Sequence, residues 1–353
     1  MNKKYFSVIV FAILFVVLAM FRSNNNKQTD NTEEAPYQKL EGMVFHTIYH
    51  ITYQGNEDYR ADIDRLFKEF DGSLSMFNDT SIITRMNNND PDVRANKYFK
   101  KVFDKAIKVS EATEGAFDIT VAPLVNLWGF GFKNSDNVSK QTVDSILTFV
   151  GYKTVSLDED GVLHKQDPRT ILDASSIAKG YMSDVVADFL AGQGVENYMV
   201  EIGGEIALNG VNPRGKAWSV GINKPEDDAT STNNELQEVL YMTSGGMATS
   251  GNYRNFYVKD GKKFAHTIDP HTGYPIQQDI LSSTVIAEDC MTADAYATAF
   301  MVLGKEKALK VLEKDTTLMA YFIVEGKDSI DYDVVYSPAL EARLRDSTGV
   351  SPE

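Results

Sequence analysis

A single cysteine, Cys290, occurs in 353 residues. One thiol closes no disulfide and builds neither a zinc site nor a CxxC redox pair, so the fold has to stand on its core alone. Positive charge is also scarce: 35 Lys and Arg face 50 Asp and Glu, a formal net charge of −15. Such a field repels a phosphate backbone and no basic stripe offsets it, which excludes a nucleic-acid binder. A phosphorylated ligand would then have to be met by a metal cation or by a few local donors. The histidines at 46, 50, 164, 266 and 271 show no HExxH or other paired spacing, leaving a zinc hydrolase without support. There is no GxSxG elbow and no Walker loop.

What the chain does have is 43% hydrophobic and 24% charged content, the balance of a globular body with a large buried core. The amino terminus reads apart from that body. Lys3 and Lys4 precede an uncharged run, Tyr5 to Phe21, with the cationic and apolar parts of an export signal. Seventeen residues sit at the short limit for a spanning helix, so residues 1–22 read as a signal peptide or membrane anchor. Charge placed before the run keeps the amino terminus inside and exports the body. Residues 23–39, rich in Asn, Asp, Glu and Thr, read as a polar tether, and residues 40–353 as the folded domain.

Within the domain, Tyr49, Ile51 and Tyr53 alternate with polar neighbours as a half-buried strand does. Helices are predicted over Tyr59–Leu74, Ala95–Thr113, Ile177–Gln193, Thr292–Leu303 and Lys305–Lys314. Strands are predicted at Thr170–Leu172, Asn197–Asn209 with a break at Gly203-Gly204, and Ser283–Ala287. Phe256–Ile268 reads as a hairpin turning at Asp260-Gly261. Phe117–Gly131, dense in aromatics and glycine, reads as an irregular wall. Antiparallel strands with helices between them make an α+β fold of mixed, largely antiparallel sheets, preceded by one N-terminal apolar helix.

Three segments carry chemistry. In Leu172–Asp184, Asp173 can accept from a base edge or ribose, Ser175 and Ser176 open a helix, and Lys179 stands in its first turn within reach of a phosphate. In Thr292–Phe300, Asp294 and Thr298 are four apart on a helix and can offer a carboxylate and a hydroxyl to one hard cation such as magnesium. A threonine bonding back to its own helix would give the same pair. His266, at the end of a strand before Asp269-Pro270, could serve as a general base or as a structural histidine. The aromatics around Trp128 could stack a flavin or fill a core.

Taken in order, these pieces resemble the ApbE family of FAD:protein FMN transferases, from about Gly42 to Gly304. The segments are LSMFNDTSIITRMN, TEGAFDITVAPLVNLWGFG, LDASSIAKGYMSDVVADFL, VEIGGE, ATSGNY, HTIDPHTG and TADAYATAF. The resemblance implies that Phe77 lies beside the flavin, and that Phe45, Ala116, Phe117, Asp118, Asp173, Lys179, His266, Thr267 and Asp269 hold FAD. It also implies that Ser176, through its carbonyl, joins Asp294 and Thr298 on magnesium, with His266, Asp294 and Lys179 serving catalysis. Where the family has a Met-Gly-Thr run this chain has Phe45-His46-Thr47, and the lipid-accepting cysteine of many relatives is absent. The expected enzyme is a magnesium-dependent transferase with FAD as substrate. It would link FMN to a Thr or Ser of an exported protein or membrane redox subunit, and would sit at the periplasmic face of a bacterial inner membrane, held by its N-terminal segment. The alternatives are an FAD pyrophosphatase, disfavoured by the aromatic Phe77, and a non-catalytic FAD-binding membrane protein.

Overall fold

The computed structural model describes residues 35–130, 138–223, 236–251, 256–259, 262–265, 267–277, 279–326 and 332–347. Two units separate, Met1–Pro36 and Tyr37–Glu353, and every element below belongs to the second. The expected N-terminal apolar helix, residues 23–34 of the tether and the Asp260-Gly261 turn lie outside the described residues. Among the described residues no helix is long and apolar enough to cross a membrane.

Strand β1 (Tyr37–Val44) starts inside the span read as tether and pairs antiparallel with β2 (Thr47–Gln54). In β2 the alternation holds: Tyr49, Ile51 and Tyr53 are buried. Helix α1 (Arg60–Leu74) buries a stripe through Ile63, Phe67, Phe70 and Leu74. Next come α2 (Ile82–Asn87) and α3 (Lys97–Ala112), whose first turns are satisfied by the side chains of Ser81 and Asn96. The expected irregular wall holds one short helix, α4 (Ala122–Leu127), and is followed by α5 (Lys140–Leu147) and the ribbon β3 (Val155–Leu157) and β4 (Leu163–Lys165). Thr170–Leu172 is not a strand. It makes one bridge, Ile171 to Val121, because the Leu172 peptide is clamped by the Asn87 amide and the Asp173 N–H goes to the Ile119 carbonyl.

Helix α6 (Ala178–Gly192) leads into β5 (Tyr198–Ile202) and β6 (Glu205–Asn209), joined by a tight turn with Gly203 and Gly204 at φ +67° and +100°. Strands β7 (Trp218–Asn223) and β8 (Leu236–Met242) pair as a ribbon, followed by β9 (Ser244–Gly251) and the hairpin β10 (Phe256–Lys259) and β11 (Lys262–Ala265). The chain closes with β12 (Ile280–Ala287), α7 (Cys290–Leu303), α8 (Lys305–Lys314), β13 (Met319–Glu325), β14 (Tyr332–Tyr336) and α9 (Pro338–Ser347).

Eight strands form one sheet in the order β1-β2-β5-β6-β9-β12-β13-β14, antiparallel at every step. Its middle is covered on both faces. Along β13, Ala320, Phe322 and Val324 join the large core shared with α6 and α7, while Tyr321 and Ile323 join a second core. That second core is closed by Trp218, Val220, Leu240 and Met242 of the β7–β8 ribbon and by Leu340 of α9. The two-residue period of a strand sends alternate side chains into different cores, so the α+β reading is met by a three-layer body.

Candidate active site

The turn between β1 and β2, the start of α6, the middle of α7 and the ends of β6 and β9 converge on one open cleft of about 2330 Å³. Into its walls the structure brings Phe45, Phe77, Ala116, Phe117, Asp118, Asp173, Ser176, Lys179, Thr267, Asp294 and Thr298, from segments more than 250 residues apart in sequence. His266 lies outside the described residues. Asp269 is not on the cleft wall. Its carboxylate is spent on its own turn, accepting from the His271 N–H at 2.9 Å and the Thr272 hydroxyl at 3.1 Å.

The floor of the cleft depends on how closely two helices cross. A methyl group at Gly180 would collide with the Cys290 carbonyl and stand 2.7 Å from Asp294 Cβ, so only glycine lets α6 lie this near α7. The result is a hydrogen bond from the Gly180 N–H to Asp294 Oδ2 at 3.0 Å. Asp294 is 4% exposed, and burial pushes its carboxyl above the ordinary carboxylate range, against the pull of Lys179. One turn on, Thr298 shares a hydrogen bond of 3.1 Å with Ser250 of β9. This side chain contact across helix and strand differs from a threonine bonding back to its own helix.

Lys179 stands beside Asp294 and is gripped from the sheet by Glu205, Nζ to Oε1 at 2.5 Å. Burial by itself would lower the ammonium's pKa, but Glu205 and Asp294 outweigh it and hold lysine firmly charged. Glu205 is 4% exposed, and burial raises its carboxyl above the ordinary carboxylate range despite the lysine. Two buried carboxylates thus share one ammonium. A bound cation would favour the ionised form of these carboxyls, and the donor set of Asp294, the Thr298 hydroxyl and Ser176 is all hard oxygen. Among the described residues no group of three or more His, Cys, Asp and Glu could hold a metal by itself. A cation here would therefore need backbone, hydroxyl or ligand oxygens as well, as magnesium commonly does.

The remaining walls are braced from outside. Asp118 is 7% exposed with both oxygens committed: Oδ1 accepts from the Thr120 N–H and hydroxyl at 2.8 and 2.6 Å, and Oδ2 from the Tyr152 N–H at 2.7 Å. Burial raises its pKa, and these bonds oppose the shift. Asp173 accepts from the Ser175 N–H at 2.8 Å, while the Asn87 amide clamps the preceding residue, Leu172, at both N–H and C=O. At the lip, Phe45 packs on Phe67 and Phe70 with φ +49°, and Phe77 is 72% exposed, its ring 5.1 Å from that of His46. Trp128 fills a small apolar cluster with Leu124, Val143 and Ile268, whereas its neighbour Phe130 lines the cleft.

Glu205, Asn87 and Gly180 were not singled out from the sequence. For Glu205 a signal existed, since a carboxylate right after Gly-Gly and inside an otherwise apolar strand is out of place there. Asn87 and Gly180 show their roles only once segments distant in sequence are side by side.

Comparison with known proteins agrees on the family. The model of the ApbE family matches residues 45–322. A Haemophilus influenzae protein named FAD:protein FMN transferase is 38% identical, over 83% of this chain and 88% of the relative. An Escherichia coli protein of the same name is 31% identical, over 90% of this chain and 93% of its own. The solved flavin transferase ApbE from Vibrio cholerae superposes with a TM-score of 0.78 at 36% identity, covering 87% of this chain and 99% of that one. The apo flavinyl transferase ApbE of Pseudomonas stutzeri superposes with a TM-score of 0.78 at 28% identity, covering 88% and 98%.

Proposed function

The chain belongs to the ApbE family, and we propose that it works as a magnesium-dependent enzyme that splits FAD, links the FMN half by a phosphoester to a Thr or Ser hydroxyl of an exported redox protein, and releases AMP. It is a transferase acting on FAD and a protein acceptor. The finer parts of the reading are the metal, the hydroxyl acceptor and a place at the periplasmic face of the inner membrane. They are supported by the oxygen donor set of the cleft floor and by the cationic and apolar N-terminal run.

The observation that carries the reading is the floor of the cleft, where Asp294, Thr298 and Ser176 bring oxygens together beside the Lys179–Glu205 ion pair. Asp294, Thr298 and the Ser176 carbonyl would hold magnesium. When bound, the ion would draw negative charge from the diphosphate and make AMP a better leaving group. Lys179, charged and 34% exposed toward the cleft, is placed to hold the diphosphate in line with the attacking hydroxyl. Asp173 offers its second oxygen to the nucleoside, and Phe45, Ala116 and Phe117 give the flavin an apolar wall. Phe77, exposed at the lip, covers the flavin and excludes water, which favours transfer over hydrolysis. The hydroxyl proton passes to a base, for which His266 or a neighbouring carboxylate is the candidate.

The test is incubation of the exported body with FAD, magnesium and a candidate acceptor, followed by intact mass and nucleotide analysis. Transfer predicts an acceptor heavier by FMN less one water, and one AMP per event. Free FMN with AMP would identify a pyrophosphatase, and unchanged FAD a binding protein.

A further inference from the structure

Neither the family resemblance nor the proposed reaction gives Glu205 a task of its own, and its surroundings are peculiar. It is 4% exposed on the central sheet, and one oxygen, Oε1, holds Lys179 at 2.5 Å. The other, Oε2, is buried without a hydrogen-bond partner. A purely structural ion pair in a folded core satisfies both carboxylate oxygens, because a half-satisfied buried charge costs free energy. Gly203, at φ +67°, packs against this oxygen: a Cβ there would stand 3.3 Å from Oε2 and 3.0 Å from the Thr47 side chain, and Thr47, Gly203 and Glu205 all line the cleft. The strand carrying Glu205 is tied to the helix carrying Lys179 by the Ser183 hydroxyl, which donates to the Glu205 carbonyl at 3.0 Å. The distance between the two charged groups is therefore set by the fold.

We propose that Glu205 is a positioning residue: Oε1 fixes where the Lys179 ammonium stands in the cleft. Without Glu205, Lys179 has Asp294 as its remaining anionic neighbour and swings toward it. There it would compete with the cation and leave the phosphate path. The proposal rests on the reading of Lys179 as a diphosphate contact.

A double-mutant cycle separates the possibilities, using the full chain with magnesium and two readouts: FAD affinity from flavin fluorescence, and kcat and KM for transfer. Glu205→Gln keeps the size and one carbonyl acceptor but removes the charge. Lys179→Met removes the ammonium. Each single variant is expected to weaken FAD binding or lower kcat by about 10-fold or more, the scale of a charge-assisted hydrogen bond. The double variant should be no worse than Lys179→Met, since Glu205 acts through the lysine. Glu205→Asp, which keeps the charge on a shorter arm, should fall between wild type and Glu205→Gln; it also supplies the same cycle if the amide variant does not fold. A wild-type Glu205→Gln beside an impaired Lys179→Met, or effects that simply multiply, would overturn the inference and leave the proposed function standing. A Lys179→Met protein that binds FAD and transfers FMN normally would overturn both.

Discussion

Replacing Gly180 with alanine is the sharpest structural test, because general helix chemistry and this structure predict opposite signs. Inside an ordinary helix the change stabilises by roughly 0.5–1 kcal/mol, since glycine has more backbone freedom to lose on folding. Here the added methyl would stand 2.7 Å from Asp294 Cβ and 2.8 Å from the Cys290 carbonyl carbon, where ordinary contact begins at 3.4 Å. The obstacle is mostly backbone, so α6 and α7 must part by about 0.7 Å or more, and overpacking of that kind costs about 1–3 kcal/mol. The same movement stretches the Gly180 to Asp294 hydrogen bond from 3.0 Å past useful range, which adds about 1–2 kcal/mol for a bond to a carboxylate. The net expectation is a loss of about 2 kcal/mol, a melting temperature lower by about 3 °C, and weaker FAD binding in magnesium. Calorimetry and a flavin fluorescence titration measure the two. A Gly180→Ala protein as stable as wild type, or more so, with FAD affinity intact would refute the helix-crossing account of the cleft floor.

Other expectations follow from single residues. Asp294→Ala should lower transfer in magnesium by about 100-fold or more, the scale of one lost preorganised charge contact, as read from initial rates. Phe77→Asn, at a site 72% exposed, should leave the melting temperature within the range of a surface change, about 0.5 kcal/mol, yet move products from modified acceptor toward free FMN; an unchanged ratio would remove Phe77 from acceptor choice. Asp184 accepts from the Cys290 and Met291 N–H groups at the start of α7, and burial raises its carboxyl to about 7. An acid whose folded pKa lies above its unfolded value of about 3.9 binds its proton more tightly in the folded state, so its contribution to stability declines as pH rises from about 4 to about 7. Asp184→Asn should flatten that part of the stability profile in denaturant titrations, and an unchanged slope would contradict the assignment.

Much of the fold could be read from periodicity where one face is buried and the other wet. The alternation of Tyr49, Ile51 and Tyr53 and the stripe from Ile63 to Leu74 both return as drawn. Periodicity fails where both faces are buried. Met319–Glu325 is apolar almost throughout because its side chains feed two cores, and such a run cannot be told from a buried helix by pattern. Thr170–Leu172 failed for another reason, since β-branched residues favour extension but a distant amide, Asn87, takes the peptide a ladder would use. At the site, ordered motifs named the segments, and the structure supplies their convergence on one cleft. Asp294 and Thr298 were visible as a helical pair, whereas the partner of Glu205, Lys179, is shown only by the helix packing on the sheet.

The central claim is that oxygens of α7 and of Ser176, just before α6, hold a divalent cation against the diphosphate of bound FAD. Crystals grown with FAD and manganese in place of magnesium would test it through the anomalous signal. The account predicts one peak between Asp294, Thr298 and the Ser176 carbonyl, touching the diphosphate, with Lys179 on the same phosphates. A dinucleotide bound away from these residues, or a manganese peak elsewhere with the floor unchanged, would contradict it.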